Sequence, residues 1–361
     1  MRQKVPQPNR LPFLPPPQDQ IESIRVLKQL SRSSSALGEL KGIANTIPNQ
    51  TMLVNAIVLR EAKDSSEIEN IITSQDELYK ALSSKSTHTP EAKEVINYRK
   101  AIFKGFDIIK DQGFLRLADI IELQGIVIEN NAGIRSTPGT VLKNDKTGEV
   151  VYVPPQDKAE ILDLLSNFLD HFNLNEHGIP PLVNLAILHC QFESIHPFYD
   201  GNGRTGRILN ILYLILNDLM DLPILYLSSY IIDNKDKYYG LLNAVNKSGN
   251  WEEWILYMLY AVEETSKKTI QKINLIKNAL DETIIEVSNK AAKLYRKELV
   301  ELLFEQPYSK IEYVVEKLGV ERKAASRYLK KLSELGVLEN QKIGRENIYV
   351  NTKLIEILKK Y

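Results

Sequence analysis

The sequence has 361 residues, too many for one ordinary small domain, so we expect two or three modules with at least one sizeable core. Lysine plus arginine equals aspartate plus glutamate at 46 each, and a net charge of zero argues against a protein that coats nucleic acid or an anionic membrane. Cys190 is the only cysteine, which excludes an internal disulfide and a multi-cysteine zinc site and fits a reducing, cytoplasmic compartment.

Prolines dominate the first residues of the chain. Met1–Pro17 is predicted to be an extended strap that lies on a domain. Because proline stands where a signal peptide needs an unbroken apolar run, we expect no secretion signal. The longest apolar run, Ile208–Leu216, is far shorter than the roughly 20 residues of a membrane-spanning helix, so we expect no membrane partner.

Helical periodicity begins at Gln18. Thr51–Ile72 contains no glycine or proline and becomes polar late, which predicts a helix whose C-terminal end faces solvent or a site. Ser74 and Glu77 have the spacing of a capping box, so the next helix is predicted to begin there.

One hairpin is predicted in the first 290 residues. Between Arg135 and Pro155, two β-branched runs flank the turn-rich stretch NDKTG and end at a double proline. Asp157–Phe172 and Pro181–Ile195 are predicted helices. Ile208–Met220 is apolar on nearly every side, which predicts a helix at the centre of a bundle.

The last 65 residues or so have a pattern of their own. Three amphipathic stretches are followed by two alternating stretches around Lys342–Glu346, the order of a winged helix-turn-helix. From Lys290 to Tyr361 there are 16 Lys and Arg against 10 Asp and Glu, a basic excess that the rest of the chain does not share. We therefore expect a C-terminal domain that folds independently from about Lys290.

That basic excess leaves two kinds of partner open for the C-terminal domain. Acidic Glu321 and Glu334 flank the basic residues, so the domain could serve protein contacts as well as DNA. The basic residues are Arg322, Lys323, Arg327, Lys330 and Lys331.

The stretch HPFYDGNGRTGR, His196–Arg207, combines an imidazole, a carboxylate, glycines and two guanidinium groups. It contains G-x-G-x-x-G, but a predicted helix precedes it where a dinucleotide fingerprint needs a strand, and no Gly-Lys-Ser/Thr follows as in a Walker A loop. Arg204 and Arg207 lie at the start of a predicted helix, where a cation is disfavoured unless an anion is bound. The stretch is therefore predicted to bind a polyphosphate at a helix N-terminus.

Two further residues add chemistry to this phosphate site. A neutral His196 could take a proton from a hydroxyl that attacks phosphorus, the role of a general base. Asp200, four residues later, could hold Mg²⁺ that bridges phosphate oxygens.

The twelve residues resemble the Fic motif, H-x-F-x-[D/E]-G-N-G-R-x-x-R, at every fixed position. The resemblance implies a mostly α fold, a Fic-type helical bundle with a β-hairpin flap, and transfer of AMP from ATP to a Ser, Thr or Tyr hydroxyl of a target protein. It implies that His196 is the general base, that Phe198 anchors the loop in the core, and that Asp200 is the Mg²⁺ ligand.

The same resemblance assigns the remaining motif residues to the nucleotide. Asn202 and the backbone amides of Gly201 and Gly203 would hold the α- and β-phosphates, while Arg204 would contact the β-phosphate and Arg207 the γ-phosphate. The nucleotide-binding residues of the motif are thus Asp200, Gly201, Asn202, Gly203, Arg204, Thr205, Gly206 and Arg207.

A second stretch, SSEIEN, resembles the inhibitory motif of the family, [S/T]-x-x-x-E-[G/N], in its N-terminal position. The matching residues are Ser65, Glu69 and Asn70. The Glu69 carboxylate could pair with the Arg207 guanidinium and so compete with the γ-phosphate. The alternative is a solvated carboxylate on a helix.

Two more segments resemble parts of the family fold. The hairpin of residues 139–153 is similar to the flap on which a target segment docks by β-augmentation, with Val151 and Tyr152 at its nucleotide-facing end. KYYGLLNAVNKSGNW is similar to the segment over adenine, which implies Tyr238, Tyr239 and Asn246 near the base. An ordinary surface hairpin and ordinary helix aromatics are the alternatives.

These observations divide the chain into an N-terminal helical segment with the inhibitory motif (1–95), a Fic catalytic core (96–270), a linker helix (271–295) and a winged helix domain (296–361). The predicted function is a protein adenylyltransferase that uses ATP and Mg²⁺ and is inhibited by Glu69. A phosphotransferase with the nucleotide reversed, and a nucleotide-sensing DNA-binding regulator, stay open as alternatives. The target protein and a homodimer are left open as well.

Overall fold

The computed structural model describes residues 7–47, 49–83, 89–143, 147–174, 178–343 and 346–359. They form a mostly helical fold with two small antiparallel sheets, as the sequence predicts. The helices are α1 (Ile24–Ala44), α2 (Gln50–Ile68), α3 (Gln75–Ser83), α4 (Pro90–Gln112), α5 (Leu117–Ile128), α6 (Lys158–Asn173), α7 (Pro181–Ile195), α8 (Asn202–Leu216), α9 (Ser228–Asp233), α10 (Lys235–Ser248), α11 (Trp251–Lys290), α12 (Lys297–Glu305), α13 (Ile311–Leu318), α14 (Arg322–Glu334) and α15 (Thr352–Lys359). The strands are β1 (Leu142–Lys143), β2 (Val150–Tyr152), β3 (Tyr308–Ser309), β4 (Glu339–Ile343) and β5 (Glu346–Val350).

Helix α8 lies at the centre of the helical bundle. It packs against α2, α4, α5 and α7, and every side chain from Ile208 to Ile215 is buried. An apolar surface on all sides of a helix requires such a central position, and the prediction of a buried helix is confirmed. The N-terminus of α8 therefore has a fixed place relative to four neighbouring helices.

Side chains cap the first turns of α3 and α6. The Ser74 backbone N–H donates to Glu77, and the Glu77 backbone N–H donates to Ser74 Oγ at 3.2 Å, which confirms the capping box before α3. Asp157 accepts the backbone N–H groups of Ala159 and Glu160 at the start of α6.

The N-terminal strap runs across the bundle surface. The backbone N–H of Asn9 donates to the Val153 carbonyl at 2.8 Å, and Asn9 Oδ1 accepts the Val153 N–H at 3.1 Å. Further along, Leu14 exchanges hydrogen bonds with the side chain of Asn167. The strap thus lies beside the residue that follows β2 and beside α6, although its first six residues fall outside the described part of the chain.

The C-terminal elements follow one another in the order predicted for a winged helix-turn-helix. Helices α12, α13 and α14 precede the β4–β5 hairpin, and β3 adds to the far side of β5. The wing turn at 344–345 lies outside the described residues. Two elements of this domain were not predicted, helix α15 and strand β3, of which β3 has only two residues.

This C-terminal unit packs closely on the rest of the chain. Helix α12 contacts α2, α15 contacts α11, and the ring of Tyr308 stacks on Tyr79 with centroids 5.4 Å apart. The predicted boundary at 270/271 falls inside α11, and the one at 95/96 falls inside α4, so both helices run through the positions where domains were divided. The division into domains and their independent folding stay predictions.

Part of the basic surface of α14 is already paired. Arg322 contacts Glu312, and Lys331 Nζ lies 3.0 Å from Glu334 Oε2. DNA binding by this surface stays a prediction. No helix within the described ranges has the length and apolar character required to cross a membrane.

Candidate active site

In the loop between α7 and α8, the first residue has a strained backbone conformation, and side-chain hydrogen bonds hold the end of the loop in place. His196 ends α7 in the left-handed conformation, with φ 48° and ψ 59°, which a histidine adopts only when its surroundings hold it. The side-chain amide of Asn202 accepts the Phe198 N–H at 2.8 Å and donates to the Phe198 carbonyl at 2.9 Å. Phe198 itself is fully buried, as predicted for a loop anchor.

These two hydrogen bonds determine which atoms of Asn202 can contact a ligand. Both polar atoms of its side chain bond the backbone of Phe198, so in this structure the side chain closes the loop. A contact between Asn202 and phosphate would then come from its backbone N–H, in the first turn of α8. Gly201 precedes that turn with φ 79°, and a Cβ there would lie 2.9 Å from Ile128 Cγ2.

Arg135 supports the backbone of this loop, a role that no sequence pattern indicates. Its Nε donates to the His196 carbonyl at 2.7 Å, and its Nη2 donates to the carbonyls of Pro155 and Ile195. The side chain is fully buried. A lone arginine before a predicted hairpin has no pattern that reveals which carbonyls it will bind, so only the folded structure identifies it.

The imidazole of His196 lies in a low-dielectric environment. Its Nδ1 is buried and has no hydrogen-bond partner in the described part of the chain. Burial, followed by the nearby Arg135 charge, lowers the pKa of His196 to about 4. The ring is therefore neutral at physiological pH, as a general base must be.

We expect the His196 ring to stay neutral in the free protein down to about pH 5, because its folded pKa of about 4 lies below the ordinary value of 6.5. Between these pH values the unfolded chain binds the extra proton, so this group's contribution to stability is lost as the pH falls from about 6.5 to 4. An NMR titration of imidazole nitrogens, with the signal assigned by its absence in His196→Asn, measures this. Titration of that signal near pH 6.5 would contradict the expectation.

Arg207 is held by Glu69, its predicted partner, and by Ser65 of α2. Its Nε donates to Ser65 Oγ at 2.7 Å, and its Nη2 donates to the Ser65 carbonyl at 2.9 Å and to Glu69 Oε1 at 2.8 Å. Arg207 and Ser65 are buried, whereas the Glu69 side chain is 34% exposed. Glu69 thus lies between the Arg207 guanidinium and solvent.

The Glu69 carboxylate also covers the first turn of α8. A Cβ added at Gly203 would collide with Glu69 Oε1 and lie 2.9 Å from Arg207 Nη1. Burial alone would raise the pKa of Glu69, but the charge and hydrogen bond of Arg207 outweigh it, and the pKa is lowered. An ionised carboxylate therefore lies where a helix N-terminus and an arginine attract an anion.

The end of α2 fixes Glu69 in this position. The helix was predicted to continue to Ile72, but Asn70 adopts φ 63° and stops it at Ile68. The Asn70 N–H bonds the Glu67 carbonyl and the Ile71 N–H bonds the Ser66 carbonyl, both at 3.0 Å, which is a Schellman motif. Asn and Gly tolerate the left-handed conformation, which explains physically why either can follow the glutamate.

Arg204 is paired with a residue that sequence reasoning missed. Its Nη1 donates to Glu94 Oε2 at 2.6 Å, and its Nη2 lies 3.6 Å from Asp200 Oδ1. Glu94 belongs to α4, 110 residues away along the chain, and nothing in its local sequence marks it. A phosphate at Arg204 would have to share or displace this carboxylate.

Asp200 fits the chemistry of a Mg²⁺ ligand. Its side chain is 71% exposed, and one oxygen accepts the Gly201 N–H at 2.6 Å. Within the described ranges, no group of three His, Cys, Asp or Glu side chains could hold a metal ion alone. Mg²⁺ commonly binds one or two carboxylates together with substrate phosphates, and a single exposed carboxylate suits that arrangement.

The two remaining motif residues face the interior. Thr205 is fully buried, and its backbone N–H donates to the Gly201 carbonyl at 2.9 Å. A Cβ at Gly206 would collide with Glu193 Oε1, so the glycine allows close packing of α7 on α8. Burial raises the pKa of Glu193 to about 7. For both Thr205 and Gly206, a contact with nucleotide stays a prediction.

The hairpin predicted between Gly139 and Val153 is present as β1 and β2. Val151 is exposed, whereas Tyr152 is buried and its hydroxyl donates to the Ser194 carbonyl at 3.0 Å. Of these two, only Val151 is therefore available to a ligand at the surface. The turn residues 144–146 lie outside the described residues.

The predicted adenine-side residues of α10 have different environments. Tyr238 is buried, and its hydroxyl lies 2.9 Å from His189 Nε2. Tyr239 is exposed, with its ring centroid 5.0 Å from that of Tyr238. Asn246 Oδ1 accepts the Ser194 hydroxyl at 3.0 Å, which connects α10 to α7. Their contact with a base stays a prediction.

Family models match three parts of this chain. The Fic/DOC family N-terminal model matches residues 27–107, the Fic/DOC family model matches 114–214, and the model of the C-terminal domain of SoFic-like protein adenylyltransferases matches 279–354. The chain belongs to the Fic/DOC family. The family model at 114–214 contains the whole Fic motif described above.

Relatives of this Fic protein are 28% identical to it over about half of its length. A probable protein adenylyltransferase of Aquifex aeolicus is 28% identical over 188 residues, which is 51% of this chain and 56% of the relative. Protein adenylyltransferase fic-1 of Caenorhabditis elegans is 28% identical over 179 residues, 48% of this chain and 31% of the relative. The match thus spans little more than half of the first relative and under a third of the second.

Solved Fic structures share the fold. A Fic family protein from Desulfovibrio desulfuricans superposes with a TM-score of 0.59 and 17% identity, over 95% of this chain and 98% of the other. Fic-1 of C. elegans gives a TM-score of 0.54 and 22% identity, over 69% of this chain and 74% of the other. The Fic-type fold predicted from the sequence is confirmed.

Proposed function

We propose that this Fic protein is a protein adenylyltransferase that transfers AMP from ATP to a hydroxyl of a target protein or of itself, and that Glu69 inhibits it. One observation carries the proposal: the Glu69 carboxylate binds Arg207 at the N-terminus of α8, in the place that suits a phosphate. The relatives named as adenylyltransferases support the reaction class.

In this proposal the phosphates of ATP bind the first turn of α8. Backbone N–H groups there have no intrahelical partner, and the helix dipole adds a partial positive charge. Arg207 would bind the γ-phosphate bidentately once Glu69 leaves, while Ser65 keeps the guanidinium in place from the opposite side. Asp200 would hold Mg²⁺ together with phosphate oxygens, and the ion would offset charge on those oxygens.

The chemical step assigned to this chain is a proton transfer at His196. The target hydroxyl loses its proton to the neutral imidazole as its oxygen forms a bond to the α-phosphorus. The bond from the α-phosphorus to the bridging oxygen breaks, and pyrophosphate leaves. Arg135 keeps the imidazole in position through the His196 carbonyl.

Target docking is proposed for the exposed part of the flap. A segment of another protein could add to the hairpin edge by backbone hydrogen bonds. The strap residue Asn9 already occupies the edge at Val153, so a docking segment would pair beyond it or displace it. A target hydroxyl on such a segment would then be presented to His196.

Mass spectrometry of the full chain after incubation with Mg·ATP tests the proposal. We expect native protein to gain little mass and the Glu69→Gly variant to gain AMP on a hydroxyl side chain. A phosphate adduct instead would support the phosphotransferase alternative. The absence of any adduct on the variant, and on proteins of a cell lysate given labelled ATP, would contradict transferase activity and favour a nucleotide sensor.

A further inference from the structure

A second cavity lies far from the Fic loop, between the N-terminal helices and the C-terminal domain. Its volume is about 190 Å³, which suits a small organic molecule. Asn55 and Leu59 of α2, Tyr79 of α3 and Arg99 of α4 line one side, and Phe304 and Tyr308 line the other. The cavity exists only because two parts of the chain pack together there.

Arg99 is the charged group that lacks compensation at this cavity. Its Nη2 donates to Asn55 Oδ1 at 2.7 Å, and its guanidinium lies 4.9 Å from the ring centre of Phe103. Its Nε is buried and has no hydrogen-bond partner, and within the described ranges Arg99 forms no ion pair. Burial lowers the pKa of Arg99, although the residue is only half-buried. A guanidinium that lines a cavity without a carboxylate partner can pair with an anion there.

The carboxylate at the cavity wall does not fill this role. Glu305 lines the cavity, but its Oε1 accepts Asn49 Nδ2 at 2.5 Å and its Oε2 accepts the Tyr313 hydroxyl at 2.9 Å. The cavity therefore has one open cationic group and one engaged anionic group. This charge balance favours a ligand with a single negative charge over a phosphate dianion.

The rest of the lining is apolar and aromatic. The rings of Tyr79 and Tyr308 stack at 5.4 Å with an interplanar angle of 20°, and Leu59 and Phe304 are buried beside them. Because these two rings stack on each other, a planar partner in the cavity would meet their edges, an edge-to-face arrangement that aromatic rings favour.

We propose that this cavity binds a small aromatic monocarboxylate. Its carboxylate pairs with the guanidinium of Arg99 at the cavity wall through charge-assisted hydrogen bonds. Its ring packs against Tyr79 and Tyr308. Because the walls belong to α2, α4 and the C-terminal domain, the bound molecule ties these elements together and stabilises the fold by mass action.

Isothermal titration calorimetry of the full chain with benzoate as the probe tests the proposal. We expect saturable binding of benzoate, and at least tenfold weaker binding of benzamide, its neutral isostere, and of acetate, which lacks the ring. The loss for benzamide follows from the charge-assisted hydrogen bonds to Arg99, which are about twice as strong as neutral ones. These comparisons use only native protein.

A matched pair of variants places the site. Arg99→Gln removes the guanidinium and should weaken benzoate binding by about tenfold or more. Lys100→Gln removes the adjacent charge, which is exposed and bonds Asn97 instead, and should leave binding unchanged. Equal affinity for benzoate and benzamide, no saturable binding, or native affinity in Arg99→Gln would each overturn the proposal. Binding is measured without any transfer reaction, so the result does not depend on the proposed function.

Discussion

Replacing Glu69 by glycine is expected to raise labelling from Mg·ATP on the order of a hundredfold, because a shift of about 1 Å in a reacting centre can cost that much in rate. The Glu69 carboxylate bonds Arg207 Nη2 at 2.8 Å and fills the space in front of Gly203. Without it, the γ-phosphate can bind the guanidinium, and the α-phosphorus can align with His196. Ser65 still holds Arg207 through two hydrogen bonds, so the variant keeps the guanidinium in place.

The matched control is Glu67→Gly, which changes the same residue type two positions earlier. Glu67 pairs with Lys63 at 2.6 Å, away from Arg207, and its replacement should leave labelling at the native level. Adding Arg207→Ala to Glu69→Gly should erase most of the gain, because the freed partner is gone. Autoradiography with ATP labelled on the α-phosphate measures all four proteins. Equal labelling by native protein and Glu69→Gly would show that the carboxylate has no inhibitory role.

Replacing His196 by alanine in the Glu69→Gly background should lower the labelling rate by about two to four orders of magnitude. The imidazole is neutral, its Nδ1 is buried, and the ring is proposed as the base for the attacking hydroxyl. The phosphate contacts come from the first turn of α8 and from Arg207, so the affinity for ATP should change little.

Rate and affinity must be measured separately to test this. Rapid-quench labelling gives the rate, and calorimetry with ATP and Mg²⁺ gives the affinity. A variant that loses ATP binding in parallel with labelling would indicate that His196 supports the loop rather than the proton transfer. A rate equal to that of Glu69→Gly alone would remove His196 from the mechanism.

Local chemistry is what the sequence predicts well here. The capping box at Ser74 and the buried helix α8 each depend on residues within one or two turns, and each is present. The Fic motif is local in the same sense, because its twelve residues form one loop and one helix start. The pairing of Glu69 with Arg207 was predicted as well, through the resemblance of SSEIEN to the inhibitory motif of the family.

Long-range partners are what the sequence did not reveal. Arg135 reaches the carbonyls of Ile195 and His196, about 60 residues later, and Glu94 reaches Arg204 across 110 residues. The sequence does not show which backbone carbonyls will accept a hydrogen bond from an arginine. It also does not distinguish a helical glutamate that pairs with a distant arginine from one that is solvated. The helix end at Ile68 was misplaced for a related reason, because an asparagine enters the left-handed conformation only when the surrounding contacts favour it.

The 40-residue helix α11 limits how the length of this protein can change. Its first half packs on α1 and α7, and its second half packs on α15, where Glu282 contacts Lys353. One inserted residue would turn everything beyond it by about 100° and move it by about 1.5 Å. Seven inserted residues would nearly restore the direction but shift the far end by about 10 Å. Beyond α11, helix α12 contacts α2 and Tyr308 stacks on Tyr79. Neither insertion would preserve these contacts. Insertions and deletions are therefore restricted to the loops of the protein.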